Sequence, residues 1–223
     1  MFIEYVKRLF ICCLGLVLFA LGNFFGVMSG SAGTNAWNTL ALGISDFSGI
    51  SFGTATFSIS LAIILIDIMG RGKLGIGTVL NVILISAFSD IFIKILVFIP
   101  AAPNSVMGVV YTLLGQTIIS FSTILYMKPA LGCGPRDTLM IIIGKKFPKA
   151  PIGTVKFALE VAALSAGILL GAPFGIGTVL VMALQATIFQ LTCKVCRFEP
   201  RSTVHEDLMD TFRRITSSFK KNN

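Results

Sequence analysis

Gly175-Ile176-Gly177-Thr178-Val179-Leu180 repeats, residue for residue, the hexapeptide Gly75-Ile76-Gly77-Thr78-Val79-Leu80 one hundred positions earlier. The same offset sets Ser51-Phe52-Gly53-Thr54 against Pro151-Ile152-Gly153-Thr154, and Phe57 against Phe157. With one residue of slippage, Trp37-Asn38-Thr39-Leu40 faces Arg136-Asp137-Thr138-Leu139 and Gly33 faces Gly132. Three collinear blocks mark an internal repeat, which must be read before any single element. One unit, written twice, covers about 8–100 and about 106–195.

The setting of that unit is apolar. Of 223 residues, 55% are hydrophobic and 13% charged, whereas an average soluble domain carries about 25% charged residues. The mean hydropathy is +0.89. Six apolar runs, at about 9–28, 52–70, 75–99, 106–127, 152–171 and 175–193, approach the ~20 residues that cross ~30 Å of hydrocarbon. The first follows Lys7 and Arg8 and imitates a signal peptide with cleavage near Ser31-Ala32. It is longer than the roughly 7–15-residue apolar core of such peptides, and its repeat partner is internal, so it reads as a retained span. Two shorter segments, about 35–49 and 134–148, start in glycine-rich turns at equivalent points and read as re-entrant or interfacial half-helices.

Charge placement tests this reading. With three spans per repeat and the N-terminus inside, the inner segments hold Lys7, Arg8, Arg71, Lys73, Lys128, Arg136, Lys145, Lys146, Lys149, Lys194, Arg197 and Arg201. The outer segments hold no Lys or Arg, which is the positive-inside pattern. The net charge of +8 therefore belongs to membrane topology, and no nucleic-acid partner is expected. An odd number of spans per repeat inverts the second against the first. The expected fold is an all-α membrane protein, with six transmembrane helices and two half-helices arranged as two inverted-topology repeats. This membrane domain takes up about 1–200. In such folds the site lies between the repeats near the midplane.

From about 201 to 223 the chain changes character. Thr203 and Glu206 have capping-box spacing. Val204, Leu208, Phe212, Ile215 and Phe219 then recur at helical spacing, with Arg213, Arg214, Lys220 and Lys221 nearby. This reads as an amphipathic basic tail helix on the inner surface, facing anionic lipid or serving regulation. The five cysteines include a single C-x-x-C, Cys193 and Cys196, a weak metal or redox signal that reads as free thiols.

No catalytic constellation is visible. The single histidine, His205, is in the tail, and there is neither a P-loop nor an H-E-x-x-H. Four Gly-Thr pairs, ending in Thr54, Thr78, Thr154 and Thr178, open the long helices that follow the half-helices. Threonine caps helices and glycine permits close packing; alternatively these N-termini line a ligand path. Pro135 suits the first position of a helix and Asp137 its first turn, whereas Arg136 opposes the dipole. Arg136 then pairs with Asp137 or Glu160, or meets an anionic ligand. Trp37 gives the other half an aromatic face beside Asn35 and Asn38. Glu160 lies about 12 Å into its span by the helical rise, where a charge costs about 2.5–3.5 kcal/mol. Lys156, one turn earlier, can pair with it. Gln116 and Asn81 sit within neighbouring spans, while Asp90 and Lys94, four apart, read as snorkelling.

The Trp37-Asn38-Thr39 and Gly132-Cys133-Gly134-Pro135-Arg136-Asp137 segments, each followed about forty residues later by Gly-Ile-Gly-Thr, resemble the bacterial YczE/YyaS/YitT-type integral membrane proteins. The resemblance covers roughly 8–195, with Ala36 standing where that family often has proline. It implies a polytopic plasma-membrane protein and leaves the function to the residues. The expected function is a secondary transporter of a small polar or anionic solute, coupled to ions or protons, without enzymatic activity or a cofactor. Its expected substrate-binding residues are Glu160, Lys156, Arg136, Asp137, Trp37, Asn38, Gln116, Thr78 and Thr178. The alternative is a non-transporting scaffold or regulator; an intramembrane enzyme ranks third. Expected partners are the solute, the bilayer with anionic lipid at the tail, and a second copy in a homodimer. Both termini are expected in the cytoplasm.

Overall fold

The computed structural model describes residues 2–198 together with 206 and 207. Eight α-helices follow in order: α1 Phe2–Met28, α2 Ala36–Ser48, α3 Phe52–Met69, α4 Ile76–Ile95, α5 Ser105–Met127, α6 Pro135–Lys146, α7 Ile152–Leu169 and α8 Ile176–Val195. The described residues contain no strand. α1, α3, α4, α5, α7 and α8 are long and apolar enough to cross a bilayer, so this is an all-α membrane protein. α2 and α6, with 13 and 12 residues, rise only about 20 Å at 1.5 Å per residue, short of the ~30 Å required.

Boundaries differ from expectation in two places. α1 begins at Phe2 instead of near Leu9, because Glu4, Lys7 and Arg8 continue the helix as polar turns. α4 stops at Ile95 instead of about 99: Leu96 leaves helical geometry at φ −87° and ψ 34°, and the Ile99 N–H turns back to Leu96 O at 2.9 Å. The amphipathic tail helix expected over 201–223, with its Thr203 cap, lies outside the described residues. Glu206 is described: its carboxylate meets Arg8 at 2.9 Å, and its N–H donates to Ala130 O at 2.9 Å.

The two repeats face each other across α1 and α5, which run antiparallel: Gly15 lies against Tyr126 and Gly22 against Ile119. A Cβ on Gly115 would lie 2.6 Å from Gly22 O, so only glycine permits this backbone approach. The half-helices cross over. α2 packs chiefly on α7, where Gly43 meets Gly167, and α6 packs on α3, where Ile142 meets Gly70. Each repeat thus supplies the short helix that covers the other repeat's long one.

The duplicated hexapeptides form two equivalent junctions. At one, Gly77 N–H donates to Leu131 O at 2.8 Å, and the Thr78 hydroxyl accepts from Gly75 N–H at 3.1 Å and donates to Cys133 O at 2.6 Å. At the other, Gly175 and Gly177 lie against Ser31–Gly33, and Thr178 Oγ1 is buried without a partner among the described residues. The threonines are the third residues of their helices, not the caps expected of them. The cap positions fall to Ser51, Gly75, Pro151 and Gly175.

Symmetry fails most clearly between the last two helices of each repeat. α3 packs along α4, whereas α7 barely touches α8. Asp90 explains the first contact: it accepts Gly53 N–H at 2.6 Å and the Ser51 hydroxyl at 2.5 Å. It therefore caps α3 and does not snorkel with Lys94. Repeat two has Pro151 and Gln190 at the matching positions. Gly153, the counterpart of Gly53, has nothing within 4 Å of its Cβ position among the described residues. α7 and α8 are joined by the short 170–175 connection, and they part toward the side on which the chain begins.

Candidate functional site

A cavity of about 460 Å³ lies between the repeats. Its centre is set by the half-helices, whose N-termini face each other from opposite sides. Asn35 caps α2 by accepting Asn38 N–H at 3.0 Å. α6 opens on Gly134 and Pro135 without a side-chain cap. At this meeting point the Arg136 guanidinium lies 4.7 Å from the centroid of the Trp37 ring. These two residues occupy matching positions in the repeats, so the contact sits on the pseudo-twofold axis. A cation over an indole contributes roughly 0.5–2 kcal/mol, more as water is excluded.

Neither ion pair considered for Arg136 forms. Among the described residues its guanidinium has no hydrogen-bond acceptor and no carboxylate at ion-pair distance. Asp137, its neighbour in the first turn, accepts the Tyr126 hydroxyl at 3.3 Å. Five N–H donors in a planar fork are thus held over an aromatic plate at the positive ends of two helices. That is the arrangement that takes an oxyanion.

A second polar group stands on α7 and α8. Glu160 is 6% exposed. Its carboxylate accepts the Gln185 amide and lies 4.0 Å from the Lys156 ammonium. The Glu160–Lys156 pairing expected at i,i+4 is therefore present, but the Lys156 side chain is 55% exposed. Thr56 and Ser60, the repeat-one counterparts of Lys156 and Glu160, face the same cavity.

Of the nine expected binding residues, Trp37, Gln116, Arg136, Asp137, Lys156 and Glu160 line the cavity. Thr78 and Thr178 instead sit buried at the two junctions, and Asn38 is buried against Gly26 of α1. The side chains not selected in advance include Asn23, Thr56, Ser60, Tyr126 and Gln185. For Thr56 and Ser60 the signal was available, since both lie one repeat length before residues that were selected. Cys133 also lines the cavity. None of the five cysteines is in a disulfide.

Residues 6–194 match the family described as a family of unknown function (DUF6198). An uncharacterized protein of Haemophilus influenzae is 35% identical over 175 residues, covering 78% of each chain. The uncharacterized membrane protein YczE of Bacillus subtilis is 28% identical over 179 residues, which is 80% of this chain and 81% of that one. No solved structure matches.

Proposed function

This chain belongs to the YczE-type membrane proteins gathered as DUF6198, and from that premise we propose that it is a secondary transporter of a small anionic solute, ion- or proton-coupled, with its site between the inverted repeats. One observation carries the reading: Arg136, in no ion pair among the described residues, faces the cavity over Trp37 where the two half-helices meet. An oxyanion there accepts from the guanidinium fork. It also draws on the partial positive charge of both helix ends, which no exposed point charge provides. Gln116, Lys156, Glu160 and Gln185 offer the rest of the solute donors and acceptors.

In this reading both termini are cytoplasmic and the membrane is the bacterial plasma membrane, as the lysines and arginines at one end of the bundle favour. The cavity then opens to the cytoplasm where α7 and α8 part, while Asp90 holds α3 to α4 on the outer side. Exchange of these two packings between the repeats would present the same site to the other side.

The test is thermal stabilisation of the purified protein by a panel of carboxylates, phosphate and sulfate, followed by uptake into liposomes. A few related anions should raise the unfolding temperature. Arg136→Ala should abolish the rise while the protein still purifies. Arg136→Lys keeps the charge but loses the fork and the stacking, and should weaken binding by about tenfold or more. No response of the unmutated protein to any anion would favour a scaffold.

A further inference from the structure

Hydroxyls within the spans mostly bond back to their own helix. Thr117, Ser120, Ser122, Thr123 and Thr192 each donate to the carbonyl four residues earlier, at 2.6–2.9 Å. This is the usual way to satisfy a buried hydroxyl away from water. Thr56 of α3 and Ser86 of α4 do not: both are buried, 2% and 5% exposed, and neither hydroxyl has a partner among the described residues. Asn23 of α1 is 2% exposed, and its Oδ1 is likewise unpartnered while its Nδ2 donates to Ser89 Oγ at 3.4 Å. Buried polar atoms left unpaired each cost about 1–3 kcal/mol, and three of them come from three adjoining helices.

Register brings these atoms to one place. A Cβ on Gly53 would touch Ser86 O and Asp90, which fixes the face of α3 that meets α4. Thr56 and Ser60 lie one and two turns along that face. The Asn23–Ser89 bond adds α1 to the same contact. All the convergent side-chain atoms are neutral oxygens or the Asn23 amide. The nearest ionised group along this face is Asp90, a carboxylate, already holding Ser51 and Gly53 N–H. Lys94, the cation on α4, is exposed. Neutral oxygen donors suit a hard cation. A single carboxylate that is already engaged suits a monovalent cation over a divalent one.

Repeat symmetry supports the same conclusion from a different side. Where repeat one has Thr56 and Ser60, repeat two has Lys156 and Glu160. The second repeat fills these two positions with its own cation and anion as a pair; the first presents only hydroxyl oxygens.

We propose that Asn23, Thr56, Ser86 and Ser89 form a binding site for a small monovalent cation, sodium being the probe, between α1, α3 and α4. The inference rests on the transport reading in giving that cation the role of coupling ion. Asn23, Thr56 and Ser60 also line the solute cavity, so the ion and the solute share a wall.

The experiment measures the unfolding temperature of the purified full chain in sodium chloride against choline chloride at equal ionic strength, without solute. Sodium should raise it. Thr56→Val and Ser86→Ala should each lose that rise, whereas Ser122→Ala, whose hydroxyl is back-bonded, should keep it. Equal unfolding temperatures for the unmutated protein in the two salts overturn the site, as does a full sodium response in both variants. The unmutated protein decides the matter even if a variant fails to fold. Anion uptake that runs equally in choline overturns the coupling role given to the cation and leaves the transport reading standing. Sodium stabilisation without uptake of any anion keeps the site and overturns the transport reading.

Discussion

Repeat one and repeat two are built from the same succession of a long helix, a half-helix and two long helices, yet they hold themselves together differently. In repeat one, Asp90 reaches from α4 to Ser51 and Gly53 at the start of α3, and the two helices pack along their length. In repeat two, Pro151 brings no hydroxyl, Gln190 no charge, and α7 stands away from α8 except through the bond from Gln185 to Glu160. The polar residues of repeat one serve packing at one end and leave oxygens in the interior. Repeat two adds the charged side chains Arg136, Asp137, Lys156 and Glu160 to the cavity wall. Duplication set the scaffold, and a few side-chain differences decided which half is closed and which is open.

The largest expected effect comes from adding one methyl group to each repeat in turn. Gly53→Ala pushes a Cβ into Ser86 O and Asp90, where backbone and an engaged carboxylate leave little room to yield. It should destabilise by about 1–3 kcal/mol in thermal unfolding. Gly153→Ala meets open space and should be neutral or stabilise by up to about 1 kcal/mol, since alanine is the better helix former. Equal losses at both positions would mean that α7 and α8 close in solution.

Next in size is the Lys156–Glu160 pair. Removing one partner of a fully buried pair costs about 3–5 kcal/mol. The exposure of Lys156 changes that sum, because an unpaired ammonium at this position can be hydrated. Glu160→Gln should therefore cost under about 1 kcal/mol. Lys156→Met, which leaves the buried Glu160 carboxylate with the Gln185 hydrogen bond and the more distant Arg136 charge, should cost about 1–3 kcal/mol by the same thermal measurement. The double variant should recover most of the loss. A larger cost for Glu160→Gln than for Lys156→Met would reverse this assignment.

The smallest effect tests the helix cap. Asp90→Asn keeps the shape but weakens the bonds to Ser51 and Gly53, and should cost about 1 kcal/mol, as lost caps do. Gln190→Ala in repeat two should cost nothing measurable. If the two variants behaved alike, Asp90 would not be what holds α3 to α4.

The fold was legible because three signals agreed: six apolar runs, two short interruptions at matching points, and basic residues placed on one side. The half-helices were recoverable from Pro135 and the glycine turns before each of them. The candidate site was legible only where a residue offended its surroundings, as Glu160 does in a span and Arg136 does at a helix start. Thr56, Ser60 and Asn23 offend nothing locally, since a lone hydroxyl or amide in a span passes as ordinary. Only the repeat offset to Lys156 and Glu160 marks Thr56 and Ser60, nothing in the sequence marks Asn23, and their meeting needs α1, α3 and α4 in space. Asp90 was misread for the same reason: spacing along α4 suggested Lys94, whereas the partner lies on another helix. Thr78 and Thr178 were placed on a ligand path because the glycine turns that cover them were not yet positioned.

The crossed half-helices bear on how the protein is made. As the chain leaves the ribosome, α3 inserts long before α6 exists to cover it, and α2 waits still longer for α7. Until then Asp67, buried in α3 with neither oxygen hydrogen-bonded among the described residues, lacks the helix that finally packs there. The first half of the chain is therefore an unfinished intermediate whose completion depends on the second. Two separately expressed halves should be degraded alone and rescued together, because what binds them is also what each needs to fold.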